Sequence, residues 1–153
     1  MIKTNNITVV IEDIYQIHNA SSIVRTCEGF DLKDIHVIEK KYKFDFDTEK
    51  TLGAEKNINI HYYKDSLECI NFLKKQGYKI VSTTLHEDNF DLETFPTQDK
   101  IALVFGTERK GITKELIDES DMFIKIPMYG FTESFNISVS VAICLNFFIN
   151  LKG

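Results

Sequence analysis

No glycine falls between the first β-branched run, Ile7-Thr8-Val9-Val10-Ile11, and Gly29. That gap removes the glycine-rich turn that Rossmann-type dehydrogenases and methyltransferases place after their first strand. A GxGxxG pattern occurs nowhere in the 153 residues. Gly106 and Gly111 do stand five apart after an apolar run, as in a phosphate-binding loop. Ile112 follows them, however, where that loop needs a lysine, so P-loop nucleotide hydrolysis is not expected.

Cysteine is also scarce. Cys27, Cys69 and Cys144 are odd in number, widely spaced and set among apolar neighbours. They fit reduced, buried thiols of a cytoplasmic protein better than a disulfide frame or a CxxC metal site. Residues 1–6 lack the layout of an export signal. The longest apolar stretch, 135–151, is interrupted by Asn136, Asn146 and Asn150 and falls short of a bilayer span, so a packed helix is expected and no membrane.

Arginine is nearly absent: Arg25 and Arg109 stand alone, and lysine supplies the rest of the 18 basic residues. The formal net charge of −5 works against phosphate binding, which draws on Lys and Arg. Basic residues cluster at Lys40-Lys41-Tyr42-Lys43, and at Arg109-Lys110 with Lys114. Asp45, Asp47 and Glu49 follow the first cluster closely, so a solvated loop and an RNA contact fit it equally well.

At this length, with 43% hydrophobic residues, one compact domain over residues 1–153 is expected. Short β-branched or apolar runs at 7–11, 35–38, 58–63, 78–84, 101–105 and 122–126 read as strands. Helices are expected over 19–29, opened by an Asn19 cap, over 65–76, closed by Gly77, and over 113–120. A final helix starts near Ser134, a candidate N-cap, and residues 39–57 read as a long loop. This alternation predicts an α/β fold: a mostly parallel sheet with helices on both faces and ligands beyond the carboxyl ends of the strands.

Three polar clusters follow such strand ends. In the first, Ile23, Cys27 and Phe30 share one helical stripe and Arg25 points away from it, which suits either a capped helix with a solvent-facing arginine or a working arginine. The second runs from Gly106 to Gly111. In the third, Pro127 ends a strand, and Asn136 and Ser138 sit at the mouth of an apolar helix, where burial would require hydrogen-bond partners.

Asn19 with Arg25-Thr26, Phe105-Gly106-Thr107-Glu108 with Gly111, and Ile126-Pro127-Met128 with Ser134, Asn136 and Ser138 together resemble the SpoU, or TrmH-type, family of RNA ribose methyltransferases in the SPOUT superfamily. The resemblance covers nearly the whole chain. It implies a C-terminal deep trefoil knot, an exception to the rule against threaded chains. It further implies that S-adenosylmethionine binds, without metal, among three loops and leaves as S-adenosylhomocysteine. The cofactor set so implied is Thr83, Thr84, Leu85, Gly106, Gly111, Ile126, Met128, Ser134, Asn136 and Ile137. The implied catalytic set is Arg25, Asn19, Glu108, Asn136 and Ser134.

The reaction so implied is attack by a ribose 2′-oxygen on the donor methyl. Arginine side chains stay protonated in proteins, so Arg25 serves either as the base the family assigns or as a stabiliser of the developing alkoxide or the phosphate. Homodimerisation through the apolar final helix is expected. The details are closest to enzymes that methylate a D-loop guanosine of tRNA. An rRNA or anticodon-loop ribose methyltransferase, a non-catalytic RNA-binding knot protein and an unrelated nucleotide-binding module are the alternatives.

Overall fold

The computed structural model describes residues 2–84, 89–96, 98–107 and 110–151. Seven strands form one sheet: β1 Ile7–Glu12, β2 Asp34–Ile38, β3 Asn59–Tyr63, β4 Lys79–Thr83, β5 Phe90–Asp91, β6 Ile101–Phe105 and β7 Met122–Lys125. Their order is β3-β2-β1-β6-β4-β7-β5, and every pairing is parallel. The helices are α1 Ile17–Gly29, α2 Thr48–Thr51, α3 Ser66–Lys75, α4 Lys114–Glu119 and α5 Ile137–Asn146, the last continuing as a π-type turn over Phe147–Leu151. No helix among the described residues is long and apolar enough to cross a membrane.

The period of two along each strand sorts side chains between the two faces. Val9, Ile11, Ile101, Leu103 and Phe105 enter a core with Ile23, Val24 and Cys27 of α1 and Val141, Cys144 and Leu145 of α5. Val10, Ala102, Val104 and Ile80 alternate with them and meet Cys69, Ile70 and Leu73 of α3 and Leu116 of α4. Both faces are therefore covered, which is why β1 and β6 are apolar throughout their centres and wholly buried.

Four details depart from the sequence reading. The first helix starts at Ile17, so Asn19 is its third residue and no cap; Gln16 holds the N-cap position. The last helix begins at Ile137, capped by Asn136 and not Ser134, because the Asn136 carboxamide accepts from the Ser138 N–H. The 39–57 segment carries α2 and a 3-10 turn, Ala54–Lys56. β5 has only two residues, too few for any periodicity to show.

One carboxylate locks the layers together at the carboxyl end of β1. Glu12 is buried and accepts from the Ser66 hydroxyl at 3.0 Å and from the Thr113 backbone N–H and hydroxyl at 2.9 Å each. A single side chain thus ties the starts of α3 and α4 to the central strand, and three donors compensate its desolvation.

On the strand beside β1, His36 of β2 is 3% exposed, stacked on His61 at 4.8 Å and hydrogen-bonded to the Tyr63 hydroxyl at 3.0 Å. Burial, reinforced by the neighbouring His61, pushes its pKa down to about 4. Unfolded histidine titrates near 6.5, so the unfolded chain takes up this proton first as pH falls. The neutral-His36 contribution, about 3 kcal/mol, is present above pH ~6.5, declines towards pH ~4 and levels off below. Denaturant melts at several pH values should show a shallower acid loss in His36→Gln than in the wild type; identical slopes would disprove it.

Candidate functional site

A cavity of about 250 Å³ opens at the carboxyl ends of β4, β6 and β7. Thr83 and Thr84 line it from the end of β4, Gly106, Thr107, Lys110 and Gly111 from the loop after β6, and Ile126 and Met128 from the segment after β7. Glu133, Ser134, Phe135, Ile137 and Ser140 close it from the start of α5. Eight residues chosen from the sequence therefore converge here: Thr83, Thr84, Gly106, Gly111, Ile126, Met128, Ser134 and Ile137.

The loop after β6 owes its shape to its two glycines. Its ends meet in an antiparallel bridge between Thr107 and Gly111, with the Gly111 N–H donating to the Thr107 carbonyl at 2.7 Å. Gly111 has φ +63°, a left-handed conformation costly to residues with a Cβ. At Gly106 the constraint is space: a Cβ would lie 2.3 Å from the Gly111 carbonyl carbon and oxygen. Nearby, the Thr83 hydroxyl donates to the Val104 carbonyl at 3.1 Å and the Thr84 N–H to the Ile124 carbonyl at 3.2 Å, fixing the strand ends that frame the opening.

Asn19 and Asn136 do not line the cavity but hold its wall. The Asn136 amide donates to the Asn19 carboxamide oxygen at 3.2 Å, and its own oxygen accepts from the Ser138 N–H at 2.9 Å and hydroxyl at 2.7 Å. Asn19 in turn donates to Gln16 at 2.8 Å. The start of α5 is thereby joined to α1. Asn136→Ala should cost about 1 kcal/mol from the lost cap, a fall in Tm of a few degrees. An unchanged melting curve would remove Asn136 from this role.

Arg25 is exposed on α1 in a separate shallow depression with Ser22, Thr26, Gly29, Phe30 and Ala142 of α5. It is not brought to the cavity within one chain. Leu85 and Glu108 lie outside the described residues. The cofactor set drawn from the sequence leaves out Phe105, Thr107, Lys110, Ile112, Ile117, Ile124, Lys125, Glu133, Phe135 and Ser140, which also line the cavity. Ser140 was recoverable, because it stands three residues after Ile137 and helical spacing places the two on one face. The cysteines take no part: burial raises all three thiol pKa values, Cys69 and Cys144 to about 12, so they stay protonated.

Residues 6–146 match the model of the SpoU rRNA Methylase family. The chain belongs to the SpoU methylase family. It is 46% identical over 144 residues to a tRNA (guanosine(18)-2'-O)-methyltransferase of Borreliella burgdorferi, covering 94% of this chain and 66% of that protein. An enzyme of the same name from Thermus thermophilus is 31% identical over 140 residues, covering 92% of this chain and 72% of that one. The solved TrmH/SpoU tRNA modifying enzyme of A. aeolicus superposes with a TM-score of 0.85 at 28% identity, covering 94% of this chain and 73% of that chain. The chain spans about two thirds of the length of the Borreliella relative. This SpoU member shares the relatives' α/β architecture, and its cavity is built from the segments whose residues carry the family pattern.

Proposed function

We propose that this chain transfers a methyl group from S-adenosylmethionine to a ribose 2′-hydroxyl of RNA, with tRNA as the RNA and a D-loop guanosine as the target. The observation that carries the reading is the cavity at the ends of β4, β6 and β7, in a family whose relatives at 46% and 31% identity are named tRNA guanosine 2'-O-methyltransferases. Its lining suits the donor. Ile112, Ile124, Ile126 and Ile137 offer apolar walls for a purine, Thr83, Thr84 and Ser134 offer hydroxyls for a ribose, and Lys110 and Glu133 offer charges for an amino-acid tail.

Bound there, the donor supplies an electrophilic methyl on a sulfonium. The protein's task is to align the 2′-hydroxyl with it and to ease the loss of the hydroxyl proton. Arg25 stabilises the negative charge that develops on the 2′-oxygen, or fixes the adjoining phosphate. Asn19, Asn136, Ser134 and Glu108 order the loops around the donor. Because Arg25 borders Ala142 of α5, a two-fold dimer through α5 carries the arginine of one subunit towards the cavity of the other. Half-exposed Val139, Ala142, Ile143 and Phe147 give that helix an apolar outer face. By the family resemblance, the segment after β7 threads a loop to form the trefoil knot, and residues 1–153 act as one cytoplasmic unit.

The test is to incubate the protein with labelled donor and either unmodified tRNA or rRNA, then digest with a base-specific ribonuclease and map the labelled oligonucleotides by mass. Label in a 2′-O-methylguanosine of the tRNA D-loop supports the proposal. Label only in rRNA or in an anticodon loop selects the alternative substrate. Donor binding without transfer to either RNA would leave a non-catalytic binding protein.

A further inference from the structure

The Lys40–Lys43 segment, open in the sequence to either a solvated loop or an RNA contact, is firmly built. Asp13, in the turn after β1, accepts from the Lys41 N–H at 2.9 Å and the Tyr42 N–H at 3.3 Å, and its own N–H donates to the Ile38 carbonyl at 2.9 Å. Beyond the lysines, Phe44 is buried and its N–H donates to Glu39 at 2.8 Å. Asp13 therefore clamps the turn after β1 to the middle of the basic run, and the Phe44–Glu39 bond closes the turn after β2 around that run.

That clamp sets two aromatic rings against each other in water. Tyr15 and Tyr42 lie 4.8 Å apart between centroids, tilted by 39°, and remain 55% and 47% exposed. Lys40 is paired with Glu115, whereas Lys41 and Lys43 are exposed and form no ion pair among the described residues. In a chain of net charge −5, two cations outside any ion pair among the described residues, beside an exposed aromatic step on a hydrogen-bonded loop, make a local arrangement suited to a nucleic acid: a π-face for a base and charges for its flanking phosphates.

We propose that Tyr15 and Tyr42 form a platform on which an unpaired base of the RNA substrate stacks, with Lys41 and Lys43 holding the adjacent phosphates. The inference rests on the RNA reading above and adds a second contact to it. The platform occupies the same carboxyl edge of the sheet as the cavity. The ends of β2 and β6 flank that of β1, so the strand end from which the cavity loop starts lies two strand spacings, about 10 Å, from the end of β2. One strand of RNA can engage both.

The chain has no tryptophan, so Tyr42→Trp introduces a single reporter. Its emission should be quenched saturably by an unmodified tRNA transcript and left unchanged by S-adenosylmethionine alone. Tyr15→Ala and Tyr42→Ala should each raise KM for that transcript about tenfold, the scale of one lost base stack, with kcat at saturating RNA and donor affinity within twofold. Tyr42→Phe should restore KM. The Lys41→Ala/Lys43→Ala double variant should lower the slope of log affinity against log salt by about 1.5, the value for two phosphates. Unchanged KM in both alanine variants, or an unquenched indole, in a protein that still methylates the transcript would overturn the platform and leave the function standing. A wild type that binds donor and methylates no RNA would overturn the functional reading, and the platform with it.

Discussion

Arg25→Ala is expected to lower methyl transfer to RNA by about 10²–10³-fold, the scale seen when one donor to a developing oxyanion is removed, while S-adenosylmethionine binds as before. The rate loss rests on the proposed two-fold dimer, which carries Arg25 towards the partner's cavity; the unchanged donor binding follows from position. Arg25 is exposed on α1 and lies outside the cavity proposed for the donor, so its loss leaves that cavity intact. It also makes no ion pair among the described residues, and truncating an exposed, unpaired side chain costs folding little, within about 0.5 kcal/mol. Calorimetry with the donor and single-turnover transfer of labelled methyl to tRNA separate the two effects. Arg25→Lys should recover only part of the rate, since an ammonium keeps the charge without the planar fork of donors. If Arg25→Ala transferred methyl at the wild-type rate, the role assigned to this side chain would be gone.

Gly106→Ala should be the more destructive change, although it adds a single methyl. The new Cβ would stand 2.3 Å from the carbonyl of Gly111 and 2.5 Å from the Ile112 nitrogen, all backbone atoms with no rotamer to move away. The turn has to open, and the Gly111-to-Thr107 hydrogen bond that closes it is strained with it. Overpacking of this kind costs about 1–3 kcal/mol, so Tm should fall by roughly 2–12 °C and donor affinity by about 100-fold as the cavity wall is displaced. Gly111→Ala supplies the contrast. Nothing lies within 4 Å of its Cβ position, so only the left-handed φ of +63° opposes it, at about 1–2 kcal/mol. Thermal melts and donor calorimetry on the pair should rank Gly106→Ala as the worse; the reverse order would mean that conformation, not space, governs this loop.

Much of the architecture was legible because burial on both faces leaves a plain mark. The run Ile101 to Phe105 is apolar at every position since α1 and α5 cover one side of β6 and α3 and α4 the other. The helix boundaries were less so, because Asn19 looks like a cap by type and is used instead to bind Gln16 and Asn136. No local pattern announces that last contact, which joins residues 117 apart in sequence. Strand order was hidden for the same reason: nothing in residues 101–105 says that they pair with both β1 and β4. The cavity residues were found through motif resemblance, and the tyrosine pair was not found at all, since Tyr15 and Tyr42 meet only once Asp13 has folded one turn onto the other.

The placement of β6 between β1 and β4 also sets a timetable for synthesis. β1 is synthesised before either of its sheet neighbours, yet one of its edges has no partner until residue 105 has been added, roughly 90 residues later. At about 5–20 residues per second that wait lasts on the order of 5–20 s. Throughout it the nascent chain carries a bare, apolar strand edge, so chaperone demand during translation should follow the arrival of β6 more closely than the completion of the chain.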